Sequence, residues 1–176
     1  MNLTCSSCGK IVEPLPLQCG QSVSVNSETN QWECSMGNCG TVPFEKFLCE
    51  NCCINRSILD IYKGFELLSV NNKEFREELE LLKENIVQIN IPNSGFNYWV
   101  KFGEGDFKCE KEEIEGANIF LSCPHEIMSG ILNGDLSAYS EVMNGNLKIK
   151  GDLQYTVVFI DLILLALEIN GEMRGA

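Results

Sequence analysis

Positive charge is scarce in this chain. Thirteen Lys and Arg stand against 25 Asp and Glu, with a single His, for a net charge of −12. That balance argues against nucleic acid as a partner, because phosphate binding rests on a basic surface. It disfavours an anionic membrane surface for the same reason. Long apolar runs are missing too: the best stretch, Val157–Leu167, is too short for a bilayer and contains Asp161. Met1–Lys10 has no basic segment leading into an apolar one, so no secretory signal is expected. The expectation is a soluble, cytoplasmic protein without a transmembrane segment.

Catalytic furniture is equally thin. His125 sits beside Pro124 at a helix start, where a capping or exposed histidine is unremarkable. A nucleophile–base–orienter set needs partners that the sequence does not supply. Gly103-Glu104-Gly105 reads as a hairpin turn, and no Walker or dinucleotide glycine pattern occurs. Cys109 reads as a small strand residue. Cys123, at a helix N-terminus, is the one candidate reactive thiol. No enzyme is expected.

Cysteine, by contrast, is abundant. Of ten, eight precede residue 54: Cys5, Cys8, Cys19, Cys34, Cys39, Cys49, Cys52 and Cys53. Clustered thiols in a reducing compartment point to metal. Cys5-Ser6-Ser7-Cys8-Gly9 has the form of a zinc knuckle, with glycine where the backbone bends back. Cys34–Cys39 is a wider loop of that kind, preceded by Trp32, and Cys49-Glu50-Asn51-Cys52 is a second tight knuckle. Residues 1–53 are too few to bury much apolar area, so a metal staple is expected. Structural zinc contributes roughly 10–16 kcal/mol of apparent binding free energy. Eight thiolates suit one or two zinc ions. One pairing joins Cys5 and Cys8 to Cys49 and Cys52, leaving Cys19, Cys34, Cys39 and Cys53. The other joins Cys5 and Cys8 to Cys34 and Cys39.

Beyond the module, residues 54–70 read as a linker helix carrying Ile58, Ile61, Tyr62, Phe65 and Leu68. Asn71 with Glu74 resembles a capping box for the next helix, which has Phe75, Leu79 and Leu82 on one face. Strand-like alternation follows at Val87–Ile91, Phe96–Phe102, Phe107–Lys111, Ala117–Leu121 and Leu147–Lys150. Two short helices lie between the last two strands, carrying Ile127, Met128, Ile131 and Leu132, then Leu136, Tyr139, Val142 and Met143. In the first of them Pro124 falls in the opening turn, with Ser122 or Cys123 as the cap. The chain closes on a helix that is apolar nearly all round. Leu153, Val157, Ile160 and Leu164 form one row, and Gln154, Asp161 and Glu168 a narrow polar stripe expected to face solvent. The fold class is α+β: a five-stranded, mainly antiparallel sheet covered by helices on one face, behind a small N-terminal zinc-binding module. Residues 71–176 form the second domain.

The run Met143-Asn144-Gly145-Asn146-Leu147-Lys148-Ile149-Lys150-Gly151-Asp152-Leu153, between a helix and an apolar final helix, resembles the signature of the sterol carrier protein type two family. The order of elements agrees over roughly residues 71–170. The resemblance implies helices that stand off the sheet and leave an apolar tunnel for acyl chains, sterols or acyl thioesters. Its lining would come from Met128, Ile131, Leu132, Tyr139, Met143, Leu153, Val157, Ile160 and Leu164. From periodicity alone the same residues describe a filled core. Burying about sixteen carbons at ~0.8 kcal/mol per CH2 gives roughly 12 kcal/mol gross, of which association takes back several. The family's Ser-Lys-Leu type address is not among the last residues, Arg174-Gly175-Ala176.

Two functions follow. One is a lipid-binding or lipid-transfer protein with a zinc module that contacts other proteins. The other is a zinc-dependent adaptor whose sterol-carrier-like domain is a scaffold without ligand, with Val42, Pro43, Phe44 and Phe47 as docking residues.

Overall fold

The computed structural model describes residues 3–12, 23–34, 41–43 and 48–175. The chain divides into two compact units, Met1–Ile54 and Asn55–Ala176.

In the first unit, β1 (Leu3–Thr4) and β2 (Ile11–Val12) pair antiparallel, Leu3 with Val12. The knuckle is the tip of this hairpin: Gly9 adopts φ +71° and its N–H donates to the Cys5 carbonyl at 2.9 Å. A side chain at Gly9 would be strained in that left-handed conformation. Three more strands, β3 (Val23–Asn26), β4 (Gln31–Cys34) and β5 (Thr41–Pro43), form an antiparallel sheet. Asn26 closes the β3–β4 turn, its Oδ1 accepting from Glu28 N and Thr29 N at 3.1 and 3.2 Å. These strands were not legible in the sequence. The proposed plug Trp32 has only its backbone described, and Phe44 and Phe47 lie outside the described residues.

The second unit holds the α+β fold expected from the alternation. Its strands are β6 (Asn85–Ile91), β7 (Phe96–Gly103), β8 (Asp106–Lys111), β9 (Ile119–Ser122) and β10 (Lys148–Gly151). The sheet order is β10-β9-β6-β7-β8. Every pairing is antiparallel except β6 with β9, which run parallel because the chain crosses from the β8 edge to the far side of β6. Inward residues alternate cleanly: Val87, Ile89 and Ile91 on β6, then Tyr98, Val100 and Phe102 on β7, are all buried. The opposite face carries Trp99 and Lys101, which are half-buried, and Lys108, Glu110, Phe120, Lys148 and Lys150, which are exposed. That period of two is why helices cover only one side.

Helix α1 (Glu50–Asn71) starts in the first unit and runs into the second. Its second-unit portion was expected to be a linker, yet it packs as part of the core. Tyr62 meets Tyr98, and Phe65 meets Phe107, at ring distances of 5.2 and 6.1 Å. It also clasps the sheet edge: Glu66 Oε1 accepts from Cys109 N at 2.5 Å, and Lys63 Nζ donates to the Cys109 carbonyl and to Glu110. The helix expected over residues 54–70 ends at Asn71. Asn72, not Asn71, caps α2 (Lys73–Glu80), its Oδ1 accepting from Phe75 N at 2.9 Å.

On the same face lie α3 (His125–Leu132), α4 (Ala138–Met143) and α5 (Leu153–Gly175). Neither Ser122 nor Cys123 caps α3. Pro124 takes the cap position without a side-chain bond, and Asn93 reaches across to accept from His125 N at 3.0 Å. The turn into α5 explains the Gly151-Asp152 pair. Gly151 has φ +103°, and a Cβ there would sit 2.3 Å from the Asn118 carbonyl oxygen. Asp152 then accepts from Tyr155 N through its side chain at 3.0 Å, capping the helix.

Candidate functional site

The first site lies in the N-terminal unit. Cys5, Cys8, Cys49 and Cys52 gather their sulfur atoms within 4.8 Å of one another. The β1–β2 hairpin supplies the first pair, and the start of α1 the second. Of the two pairings the sequence left open, this is the one that joins the two tight knuckles. A Cys8–Cys49 Sγ separation of 3.7 Å matches the edge, ~3.8 Å, of a tetrahedron of thiolates held about 2.3 Å from a metal. The group can therefore hold a metal ion, with the donor chemistry of a closed four-thiolate site.

Thiol ionisation fits the same picture. Burial works against the Cys5 thiolate, but hydrogen bonds from the backbone of Cys49, Cys8 and Ser7 bring its pKa down to about 6. Burial, then hydrogen bonding with Cys8, Cys49 and Cys5, pushes Cys52 up to about 12. One sulfur in the group thus gives up its proton readily while another keeps it, as expected where crowded thiols share hydrogen bonds. Cys19, Cys39 and the side chain of Cys34 lie outside the described residues. Cys53 is exposed on α1 and its sulfur is not among the four.

The second site is an apolar cavity of about 20 Å³ between sheet and helices, room for roughly one water. Tyr62, Leu121, Met128, Ile131, Ala138, Leu147, Phe159, Ile160, Ile163 and Leu164 line it. Its polar atom is the Tyr62 hydroxyl, whose contact is the Met128 thioether at 3.6 Å. Behind Tyr62 lies Tyr98, fully buried, with a hydroxyl that has no hydrogen-bond partner among the described residues. Burial first, then its neighbour's hydroxyl, pushes the pKa of Tyr98 well up. Burial likewise raises that of Tyr62.

Of the residues the sequence assigned to a tunnel, Met128, Ile131, Ile160 and Leu164 line this cavity. Leu132 is buried but faces a separate open groove with Ile61 and Leu167. Tyr139, Met143, Leu153 and Val157 are exposed, Met143 by 85%. The expectation that all of them point inward therefore does not hold, and the reason is helix rotation. On α5 the buried residues are Thr156, Phe159, Ile160, Leu162, Ile163, Ala166 and Ile169. Phe159 sets this rotation by packing on Phe102 at 5.4 Å. The inward face is the one opposite the Gln154, Asp161 and Glu168 stripe, which the row Leu153, Val157, Ile160 and Leu164 did not follow. On α4, Ala138 and Glu141 turn inward, because the Glu141 carboxylate and carbonyl close the turn through Asn146 and Leu147. Asp161 is exposed, as expected, and accepts from the Tyr139 hydroxyl at 2.6 Å. That bond, more than burial, raises the Tyr139 pKa to about 12.

Three further readings are settled locally. His125 is held between Asn93 and Glu126, at 2.8 and 3.2 Å, as part of the α3 start. Cys123 is buried, and burial pushes its thiol up to about 12, the reverse of activation. By length and composition, α5 over Leu153–Gly171 does reach what a membrane span needs, longer than the run judged from sequence. Its inward face packs on the sheet in the manner of a core helix.

Comparison with known proteins gives a fold-level setting. A UbiJ-SCP2 ubiquinone synthesis protein aligns at 17% identity over 65% of this chain and 96% of its own, with a TM-score of 0.49. Apo sterol carrier protein 2 from Yarrowia lipolytica aligns at 16% over 62% of this chain and 89% of its own, with a TM-score of 0.48. The sec-alkylsulfatase Pisa1 from Pseudomonas sp. aligns at 12% identity over 45% of this chain, with a TM-score of 0.41, and the match spans only 13% of that enzyme. No curated protein matches. The profile of the SCP-2 sterol transfer family matches residues 65–163, from the last third of α1 to the middle of α5, and the chain belongs to that family.

Proposed function

We propose that this chain is a non-enzymatic carrier that takes up a hydrophobic lipid between its helical layer and its sheet. The observation that carries the reading is the cavity lining, built almost wholly from carbon, in a chain of the SCP-2 sterol transfer family. A hydrocarbon tail needs far more room than a single water, so loading requires α5 and α4 to move away from the sheet. The exposed apolar row of Leu153, Val157 and Leu164 on α5 gives an entering chain a surface to slide along. The four-thiolate group takes zinc, which folds the N-terminal unit, and that unit serves contact with other proteins. The protein acts in the cytoplasm, where its thiols stay reduced.

Titration of the full chain with Nile red, followed by displacement with unlabelled lipids and native mass spectrometry, tests the reading. Saturable binding at micromolar affinity is expected, together with co-purifying lipid. No binding across several lipid classes would end it. The adaptor reading draws support from the smallness of the cavity, which is that of a nearly filled core. It predicts a protein partner captured by the N-terminal unit and no lipid at all.

A further inference from the structure

The cavity that the carrier reading depends on is unusually poor in positive charge. Residues 112–147 contain no Lys or Arg, and neither do residues 151–171, so α3, α4 and the described side chains of α5 offer no cation. Lys148 and Lys150 of β10 are exposed and alternate away from the cavity-lining Leu147. His125 is engaged with Asn93 and Glu126. Beside the lining residues Ala138 and Leu164 stands a carboxylate, Asp161, bonded to Tyr139.

Against this stand two buried hydroxyls. Tyr62 is 1% exposed and lines the cavity, and its hydroxyl contacts the Met128 thioether, a weak acceptor. Tyr98 is 0% exposed, packs on Tyr62 at 5.2 Å between ring centroids, and has an orphaned hydroxyl. Buried hydroxyls are nearly always satisfied in folded proteins, so an unpaired one marks a missing partner. Resting on the carrier reading, we propose that the lipid is electrically neutral and offers a hydroxyl or carbonyl oxygen to the Tyr62–Tyr98 pair, rather than a carboxylate or phosphate.

The physics favours a neutral acceptor. A carboxylate moved into this cavity would leave water without a cation to meet it, which is far costlier than moving a hydroxyl. Burial keeps both tyrosines protonated at neutral pH, so they act as donors. An alcohol or carbonyl oxygen accepts from them and stays uncharged.

The test uses the full chain, Nile red as the reporter, and dodecanol and dodecanoate as competitors at neutral pH. Dodecanol should displace Nile red at a concentration about tenfold lower than dodecanoate does, the factor one uncompensated polar group readily supplies. Tyr62→Phe and Tyr98→Phe should each weaken dodecanol by about fivefold, the weight of one hydrogen bond, and leave dodecanoate unchanged. Equal or better displacement by dodecanoate would overturn the proposal. So would dodecanol binding that neither variant alters. If Nile red, dodecanol and dodecanoate all fail to bind, the carrier reading itself falls and takes this inference with it.

Discussion

Tyr98 should be more useful to a bound ligand than to the empty protein. Its hydroxyl is fully buried on β7 and has no partner among the described residues. A hydroxyl buried without a partner costs about 1–3 kcal/mol. Phenylalanine keeps the ring and its contacts with Phe96 and Tyr62, at 5.3 and 5.2 Å, and removes the orphaned oxygen. Tyr98→Phe should therefore stabilise the ligand-free protein by about 1–3 kcal/mol, against the usual direction of a core substitution. For a unit of this size, each kcal/mol raises Tm by about 3–5 °C. Urea unfolding in a Trp32→Phe background reads the effect cleanly, because Trp99, next to Tyr98, is then the sole indole. The midpoint should rise while the slope m stays the same. Tyr62→Phe serves as the control. It gives up a 3.6 Å contact with sulfur, a weak acceptor, and should shift stability by about 0.5 kcal/mol or less. If Tyr98→Phe lowered the unfolding free energy by about 1 kcal/mol or more, its hydroxyl would have to be bonded in the folded state and the reasoning would fail.

Other outcomes are equally open to measurement. On the zinc proposal, Cys8→Ser and Cys49→Ser should each lower the metal content of the purified chain by elemental analysis, whereas Cys53→Ser should leave the four-sulfur group loaded. Gly151→Ala forces a side chain onto φ +103° and to within 2.3 Å of the Asn118 carbonyl, so a loss of about 3 kcal/mol or more is expected on denaturation. Asp152→Ala, which removes only the α5 cap, should cost about 1 kcal/mol. Burial lifts the thiols of Cys109 and Cys123 from about 9 to about 12. Between those values the unfolded chain loses the proton first, so stability should fall with rising pH by about 1.4 kcal/mol per pH unit per group. Iodoacetamide should label either thiol only after unfolding, as read by peptide mass spectrometry.

The sheet was readable because its signal is binary. Along Phe96–Phe102 every second residue is apolar, and a slip of one residue would have exposed the whole set. The four-thiol group was readable because Cys5 with Cys8, and Cys49 with Cys52, each stand three residues apart, as thiols on tight turns do, while which pairs join was left open. What was missed was rotation and partnership. In Leu153–Leu167 the stripe of Gln154 and Asp161 lies across the helix from Phe159 and so marks its face as inward, but the row Leu153, Val157, Ile160 and Leu164 was drawn without using it. Tyr62 and Tyr98 are 36 positions apart by number. Each sits in a proper apolar row, but no local pattern says that the two rows meet or that one hydroxyl goes without a partner. Glu141 was obscured for a similar reason, since its inward turn depends on a bond from Asn146 that helical periodicity does not encode.

The fastening of α1 along β8 bears on how such a protein survives in a crowded cell. Open β-sheets invite polymerisation at their two margins, where backbone groups await another chain. Here one margin has Glu66 and Lys63 occupying the N–H and carbonyl of Cys109, and the other is the lysine-bearing strand Lys148–Gly151. On the carrier proposal, the helical layer loosens to take on cargo and the sheet is exposed to neighbours at that moment. With both borders already guarded, loosening the helices does not by itself offer a seam for fibre growth.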